Sequence, residues 1–162
     1  MIDCDVCFNQ AAEKLVFDFS EIKIGGKYTS LIEHQGLAYI SGQIPRVGDV
    51  VQVTGKVGQE VNLIQAQLAA RISTMRALAI LKQHYGCLKI IQKILQVNIF
   101  VHSAADFTQQ SEVADGASEI LYEVFGLNVG KHTRTSVGVS QLPKNAAVEI
   151  SFVVAIFNAS IT

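Results

Sequence analysis

The chain has 162 residues, of which 49% are hydrophobic and 17% are charged, and its formal net charge is -1. This length and hydrophobic content suffice for one domain with a full core. The near-neutral charge, with no run of Lys or Arg along a predicted helix face, disfavours nucleic acid as a ligand.

Cysteine content and hydropathy bear on the cellular compartment. The chain has three cysteines, an odd number, its first residues lack the basic and apolar parts of a signal peptide, and its apolar runs are short. These features indicate reduced thiols and no exported or membrane-spanning segment. We therefore expect a cytoplasmic protein.

The first third of the chain predicts one helix and a hairpin. Apolar residues at helical spacing predict a short amphipathic helix over residues 5–17 on the outside of the protein, with Asp5 as its candidate cap. After the glycines at 25 and 26, residues 27–34 and 37–43 predict two strands joined by a turn at Gln35-Gly36. The turn-rich residues 46–59 predict a loop with at most a short edge strand.

The rest of the chain alternates between helical and strand patterns. A long helix is predicted over residues 60–85, ending at Gly86, and a strand is centred on residues 94–101. Asp106 and Gln109 resemble a capping box that opens a second helix, which Gly116 weakens and Gly126 ends. Two further strands flank the Pro143–Asn145 turn, which would set Glu149 opposite about Gly138. This order predicts the α+β class.

Several motifs in the sequence lack residues that their usual chemistry requires. Cys4 and Cys7 have the C-x-x-C spacing but no second close pair of metal ligands, so we expect no metal. Gly55-Lys56 lacks the other residues of a phosphate loop, and Ser41 lacks the flanking glycines of a hydrolase nucleophile. His102 and His132 are interpreted as surface or half-buried residues rather than acid-base catalysts.

Two opposite charges in strand-like sequence are the remaining candidates. Arg134 opens one predicted strand and Glu149 lies on the polar face of another. Burying either charge is costly without a partner, so a guanidinium and a carboxylate that face one cleft are the working hypothesis. The alternatives are an ion pair of Arg134 with Glu119 or Glu123, and a solvated strand face for Glu149.

Five segments of the chain resemble, in order and spacing, those of the Rid family, also called YjgF-like proteins: Gly26–Tyr28, Tyr39–Pro45, Ile99–Val101 leading to Asp106-Phe107, Tyr122–Phe125 and Arg134–Glu149. The most specific part is the spacing of Arg134, Leu142-Pro143 and Glu149. The resemblance covers about residues 25–157, which leaves residues 1–24 as a helical extension of a single domain spanning 1–162. Within the family, the chain resembles the branch with a longer segment near residues 113–118, whose substrate is not well assigned.

The resemblance implies a chorismate-mutase-like mixed sheet with two main helices on one face, assembled as a homotrimer with clefts between neighbours. Members of the deaminase branch use such clefts to hydrolyse small 2-imino or enamine acids to 2-oxo acids and ammonia, and they need no cofactor. Carried onto this chain, Arg134 would bind the ligand carboxylate and Glu149 would polarise the attacking water. Tyr28, Ser41 and Ser136 would complete the substrate-binding set.

Departures from the family pattern keep other functions open. Ser136 stands where deaminase members commonly have cysteine, and Glu119 stands where they have an asparagine. A non-catalytic trimer that binds or senses small carboxylates is the main alternative to the enzyme. RNA cleavage, an older label for some relatives, is the third, although the sequence offers no basic groove or stacking aromatics.

Overall fold

A five-stranded mixed sheet and three helices form the described part of this computed structural model, which covers residues 3–23 and 26–157. The α+β class predicted from the sequence is confirmed. The predicted break at Gly25 lies outside the described residues. In chain order the elements are α1 (Cys4–Leu15), β1 (Leu31–His34), β2 (Leu37–Gln43), β3 (Arg46–Val47), β4 (Val50–Val51), α2 (Leu63–Tyr85), β5 (Ile91–His102), α3 (Gln110–Gly130), β6 (Thr133–Val139) and β7 (Val148–Ile156).

The order of strands in the main sheet is β1-β2-β7-β5-β6, with β6 at one edge. β5 and β6 run parallel, and the other neighbouring pairs are antiparallel. The expectation that β6 and β7 pair, with Glu149 opposite about Gly138, is therefore wrong because β5 lies between them. Alternation along a strand shows which residues share a face but not which strand is the neighbour.

The two long helices pack on one face of the sheet, as expected. Buried and half-buried residues alternate strictly along β7, and the buried set belongs to the core shared with α2 and α3. α2 is buried continuously from Ile72 to Leu81. Gly116 of α3 lies against α2, since a Cβ there would come within 2.4 Å of the Gln67 carbonyl oxygen. The glycine that weakens α3 therefore also lets the two helices approach.

The ends of the long helices only partly follow the sequence prediction. α2 begins with a reciprocal capping box between Asn62 and Gln65, and ends at Gly86, whose φ of 83° is left-handed, as predicted. The predicted capping box at Asp106 and Gln109 is wrong, because α3 begins at Gln110 and the Gln109 side chain makes no capping hydrogen bond. Gly126 breaks the helical conformation as predicted, but helical structure then continues to Gly130.

The N-terminal helix packs on the outside of the helix layer. α1 contacts α2 and α3, and its Phe8 ring lies 6.5 Å from that of Phe19. Its cap is Asp3 rather than Asp5, since the Asp3 carboxylate accepts hydrogen bonds from the backbone amides of Asp5 and Val6. Asp5 instead accepts a hydrogen bond from the Leu88 amide.

The turn-rich region after β2 contains a small two-stranded ribbon. β3 and β4 have two residues each and pair only with one another, which agrees with the expectation of little regular structure there. Over residues 3–23 and 26–157, none of the helices has the combination of length and apolar character needed to cross a bilayer.

Candidate functional site

Glu149 lies next to a bulge that brings the backbone of β2 against its side chain. The residue is half-buried between fully buried Val148 and Ile150, so it faces away from the helix layer. The register between β2 and β7 shifts between Ile40 and Gln43. A Cβ at Gly42 would lie only 1.9 Å from Glu149 Oε1. Glycine at position 42 is therefore what leaves room for the carboxylate.

The surroundings of Glu149 disfavour its charged form. Burial raises the pKa of the Glu149 carboxyl above its ordinary value. Among the described residues it makes neither a hydrogen bond nor an ion pair that would lower the pKa again. A half-buried carboxylate of this kind takes up a proton more readily than one in water, which suits a group that accepts a proton from water.

Glu149 is one wall of a small cleft at the end of the sheet, with a volume of about 120 Å³. Among the residues that line the cleft, cationic side chains outnumber the single carboxylate, which is that of Glu149. Tyr28, one of the predicted binding residues, lines the same cleft. The lining comprises Lys23, Tyr28, Gly42, Gln43, Ile44, Arg46, Arg76, Pro143, Lys144 and Glu149.

Arg76 projects from the middle of α2 and is only 4% exposed. Its Nε donates a 2.8 Å hydrogen bond to Gln43 Oε1 and its Nη1 a 3.1 Å bond to the Arg46 carbonyl oxygen, while Nη2 bonds to the Lys23 carbonyl. Burial, and then the nearby charge of Arg46, lower the pKa of the Arg76 guanidinium from its ordinary value. The sequence analysis missed this residue, although a lone arginine within an apolar helical stretch was a usable signal.

Arg134 does not line this cleft; its guanidinium contacts α3. Nη1 donates to Asp115 Oδ1 at 2.8 Å and to Ser118 Oγ at 3.0 Å. Nη2 donates to the carbonyl oxygen of Ser111 at 3.1 Å and to its Oγ at 2.8 Å. The segment near residues 113–118 thus supplies Asp115 and Ser118 to the guanidinium.

The alternative ion-pair partners named from the sequence are engaged elsewhere. Glu119 pairs with Arg71 of α2, and Glu123 pairs with Lys14 of α1. Both carboxylates thus tie α3 to neighbouring helices. The ion pair that Arg134 does make, with Asp115, is partly exposed, with side-chain exposures of 22% and 54%. Pairs of this kind contribute about 1 kcal/mol or less to stability.

Arg134 and Glu149 lie on opposite faces of the sheet. On β5, Phe100 is the partner of Glu149, whereas buried Val97 is the partner of Arg134. Two strand spacings of about 4.8 Å and three residues at about 3.3 Å separate the two Cα atoms by roughly 14 Å. Within one chain the two side chains therefore cannot contact one small ligand.

The two predicted binding serines also occupy different places. Ser136 is the partner of buried Ile99 on β5, so it shares the helix-side face with Arg134. Ser41 directly precedes Gly42, and its Oγ accepts a 3.2 Å hydrogen bond from Gln43 Nε2. It therefore lies beside the Glu149 cleft. The structure brings Glu149 and Tyr28 together in the cleft, has Ser41 next to its lining residues, and places Arg134 and Ser136 apart from them.

Histidines and cysteines add no metal site. His132 is half-buried and contacts Ser118 and the Gly130 carbonyl, while His102 is buried and neither ring nitrogen has a protein partner among the described residues. In the described part of the chain, no three His, Cys, Asp or Glu side chains are grouped so that they could hold a metal ion.

Comparison with known proteins identifies the family. Residues 19–156 match the family model described as Endoribonuclease L-PSP. The chain belongs to this family, which includes the Rid or YjgF-like proteins. The resemblance stated from the sequence is thereby confirmed.

Individual relatives show how far the likeness extends. The chain is 38% identical to Protein TCP17 of Trypanosoma cruzi over 120 residues, which are 74% of this chain and 75% of that protein. It is 28% identical to a 2-iminobutanoate/2-iminopropanoate deaminase of Dermatophagoides farinae over 132 residues, covering 81% and 87% of the two chains. The crystal structure of the protein Atu1372 from Agrobacterium tumefaciens is similar with a TM-score of 0.84, 33% identity and 94% of each chain covered.

Proposed function

We propose that this Rid-family chain is a cofactor-independent hydrolase that converts small 2-imino or enamine acids to 2-oxo acids and ammonia. The observation that carries the proposal is Glu149, a half-buried carboxylate with a raised pKa, held against Gly42 in a small cleft. The curated name of the Dermatophagoides relative supports the same reaction class. The cleft volume of about 120 Å³ restricts it to a small ligand.

The proposed reaction needs one group that handles protons. Glu149 would hold a water and accept its proton as the oxygen attacks the imine carbon. That proton passes to the nitrogen, which gives a tetrahedral adduct with one hydroxyl and one amino group. Glu149 then takes the hydroxyl proton and delivers it to the amino group, the C–N bond breaks, and ammonia leaves as the 2-oxo acid forms. Imines hydrolyse readily in water, so positioning the water and the carbon supplies most of the catalysis.

The substrate carboxylate is assigned to Arg134 of an adjacent copy of the chain. Arg134 and Glu149 lie on opposite faces of one sheet, so only a neighbouring chain can bring a second Arg134 to this cleft. All four terminal N–H groups of the guanidinium already have acceptors on α3. We therefore propose that the ligand carboxylate displaces Asp115 when it binds.

Apolar side chains on the open face of the sheet support assembly into a homotrimer. This face lies opposite α2 and α3, and it carries Ile32 and Tyr39, which are partners across β1 and β2, together with Val137 on β6. Large exposed apolar groups on one sheet face favour contact with another protein surface. Copies of the same chain would cover these residues and complete the cleft in one step.

Glu149→Gln tests the proposed hydrolase. The amide keeps the size of the side chain but cannot accept the proton, so kcat for imine hydrolysis should fall by at least about 100-fold while ligand binding persists. Imines generated by an amino acid oxidase would be trapped with semicarbazide, and turnover measured as reduced trapping. Glu13→Gln, an exposed change on α1, serves as the control.

The pH profile provides a second readout from the same variants. Glu149 must be ionised to accept a proton, so native kcat/KM should fall as pH drops through its raised pKa. The same Glu13→Gln control should keep this profile. Native-like turnover by Glu149→Gln at every pH would exclude Glu149 as the base. A native chain that hydrolyses imines no faster than buffer would exclude the hydrolase and leave the carboxylate-binding trimer as the better function.

A further inference from the structure

A buried arginine in the Glu149 cleft has no anionic partner among the described residues. Arg76 is 4% exposed and donates three hydrogen bonds, all to neutral carbonyl oxygens of Gln43, Arg46 and Lys23. A guanidinium has five N–H donors. Two donors are thus not used by these contacts, and Arg76 lines the cleft.

The position of Arg76 is costly for a purely structural residue. Burying a guanidinium without a counter-charge is unfavourable even when it has polar contacts. Glu149 is not its counter-ion, because the two make no ion pair and the pKa of Glu149 is raised rather than lowered. An apolar side chain at this point of α2 would avoid the cost, so an anion that enters the cleft would account for the charge.

Other cationic side chains around the cleft also favour a negatively charged ligand. Lys23 and Arg46 share one carboxylate, that of Asp49, at 3.0 Å and 3.1 Å. Lys144 lines the cleft and makes no ion pair with a described residue. Among the described residues, the lining of the cleft therefore has four cationic side chains and one carboxylate, that of Glu149, with Asp49 paired to two of the cations from outside the lining. This leaves an excess of positive charge.

We propose that Arg76 and Lys144 form an anion-binding subsite for a second carboxylate of the ligand, so that the preferred substrate is a dicarboxylic 2-imino acid. This inference rests on the proposed function for the reaction at the first carboxylate and the imine carbon. The second carboxylate would take the free donors of Arg76 at the buried end and Lys144 at the rim. Charge-assisted hydrogen bonds of this kind discriminate strongly between ligands with and without the group.

The test compares two stable 2-oxo acids that differ only at one end. 2-Oxoglutarate carries a carboxylate where 2-oxopentanoate carries a methyl group, and their affinities for the native chain would be measured by calorimetry. One charge-assisted contact corresponds to about a tenfold effect or more, so we expect 2-oxoglutarate to bind at least about tenfold tighter. This preference should weaken as salt is raised.

Lys144→Asn tests whether the preference for 2-oxoglutarate over 2-oxopentanoate depends on the subsite, and the substitution should leave the protein folded. Lys144 is exposed with a left-handed φ of 56°, a conformation that asparagine tolerates. The variant should lose about threefold or more of the preference for 2-oxoglutarate while its affinity for 2-oxopentanoate stays unchanged. Arg76→Gln should lose more of the preference. Lys89→Asn, at the opposite end of β5 from Phe100, is the matched charge-removing control and should behave as native.

The outcomes separate this subsite from the hydrolase. If the native chain hydrolyses monocarboxylic imines but binds both oxo acids equally, or binds neither, the subsite is excluded and the hydrolase stands. If it hydrolyses no imine but prefers 2-oxoglutarate through Lys144, the subsite stands and the hydrolase is excluded. A preference that survives in Lys144→Asn and Arg76→Gln alike also overturns the subsite.

Discussion

The position of the Glu149 carboxylate depends on the absence of a side chain at Gly42. A Cβ there would lie 1.9 Å from Oε1 and 2.8 Å from Cδ, well inside normal contact distances. Gly42→Ala should therefore turn the carboxylate out of its place and leave the surrounding strands paired. Because a shift of about 1 Å at a catalytic group can cost about 100-fold, kcat should fall by that order.

A double-mutant cycle isolates this effect. On the Glu149→Gln background, Gly42→Ala should add little further loss, because the group that it displaces no longer acts as a base. The melting temperature of each variant would show whether the sheet is intact. Native turnover by Gly42→Ala would mean that the Glu149 position in the structure is not the one used in catalysis.

At the scale of the element, α3 fixes the position of the Arg134 guanidinium through hydrogen bonds. Asp115 and Ser118 lie in the segment near residues 113–118, and both accept hydrogen bonds from Arg134. Under the proposed function, Asp115 would compete with the substrate carboxylate for Arg134. Removing its charge should make Arg134 more available to ligand.

We expect Asp115→Asn to lower KM for a monocarboxylic imine by about threefold to tenfold, with kcat little changed. Stability should change by about 1 kcal/mol or less, since the pair is partly exposed. Glu119→Gln on the same helix breaks the pair with Arg71 instead and should leave KM as it is. An unchanged or higher KM in Asp115→Asn would show that Asp115 positions Arg134 rather than competing for it.

At the scale of the whole molecule, the proposed cleft is complete only between chains. Val137 is 40% exposed on the open face of edge strand β6, beside Phe100. Val137→Asp would place a charge in the proposed contact between copies, at a cost that should release monomers. These monomers should have lost imine turnover, because Arg134 of another chain would be missing.

Sedimentation and activity assays of the same samples check this expectation. Val6→Asp is the matched control, since Val6 is 50% exposed on α1, on the outside of the helix layer. It should keep both the native sedimentation and the native turnover. A stable, active monomer, from either the native chain or Val137→Asp, would contradict a cleft shared between copies.

Elements governed by local chemistry could be predicted from the sequence, and longer-range relations could not. Gly86 ends α2 in a left-handed conformation and Gly126 interrupts α3, as the positions of these glycines indicated. The false capping box at Asp106 shows the limit of such local patterns, because the helix begins where tertiary packing allows it. Which strand lies beside β7 depends on the order of strands in the sheet, and the alternation of buried and exposed residues along a strand does not encode that order.

The sequence by itself determined the family, the α+β class and the candidate pair of Arg134 and Glu149, because periodicity and motif spacing are properties of the chain alone. Only the tertiary structure decided that these two residues lie on opposite faces, that α3 holds Arg134, and that Arg76 reaches the Glu149 cleft. A lone arginine in an apolar helical stretch marks Arg76 as unusual, but not where its side chain lies. These relations join residues far apart in the chain, so they follow from how the sheet and the helices pack.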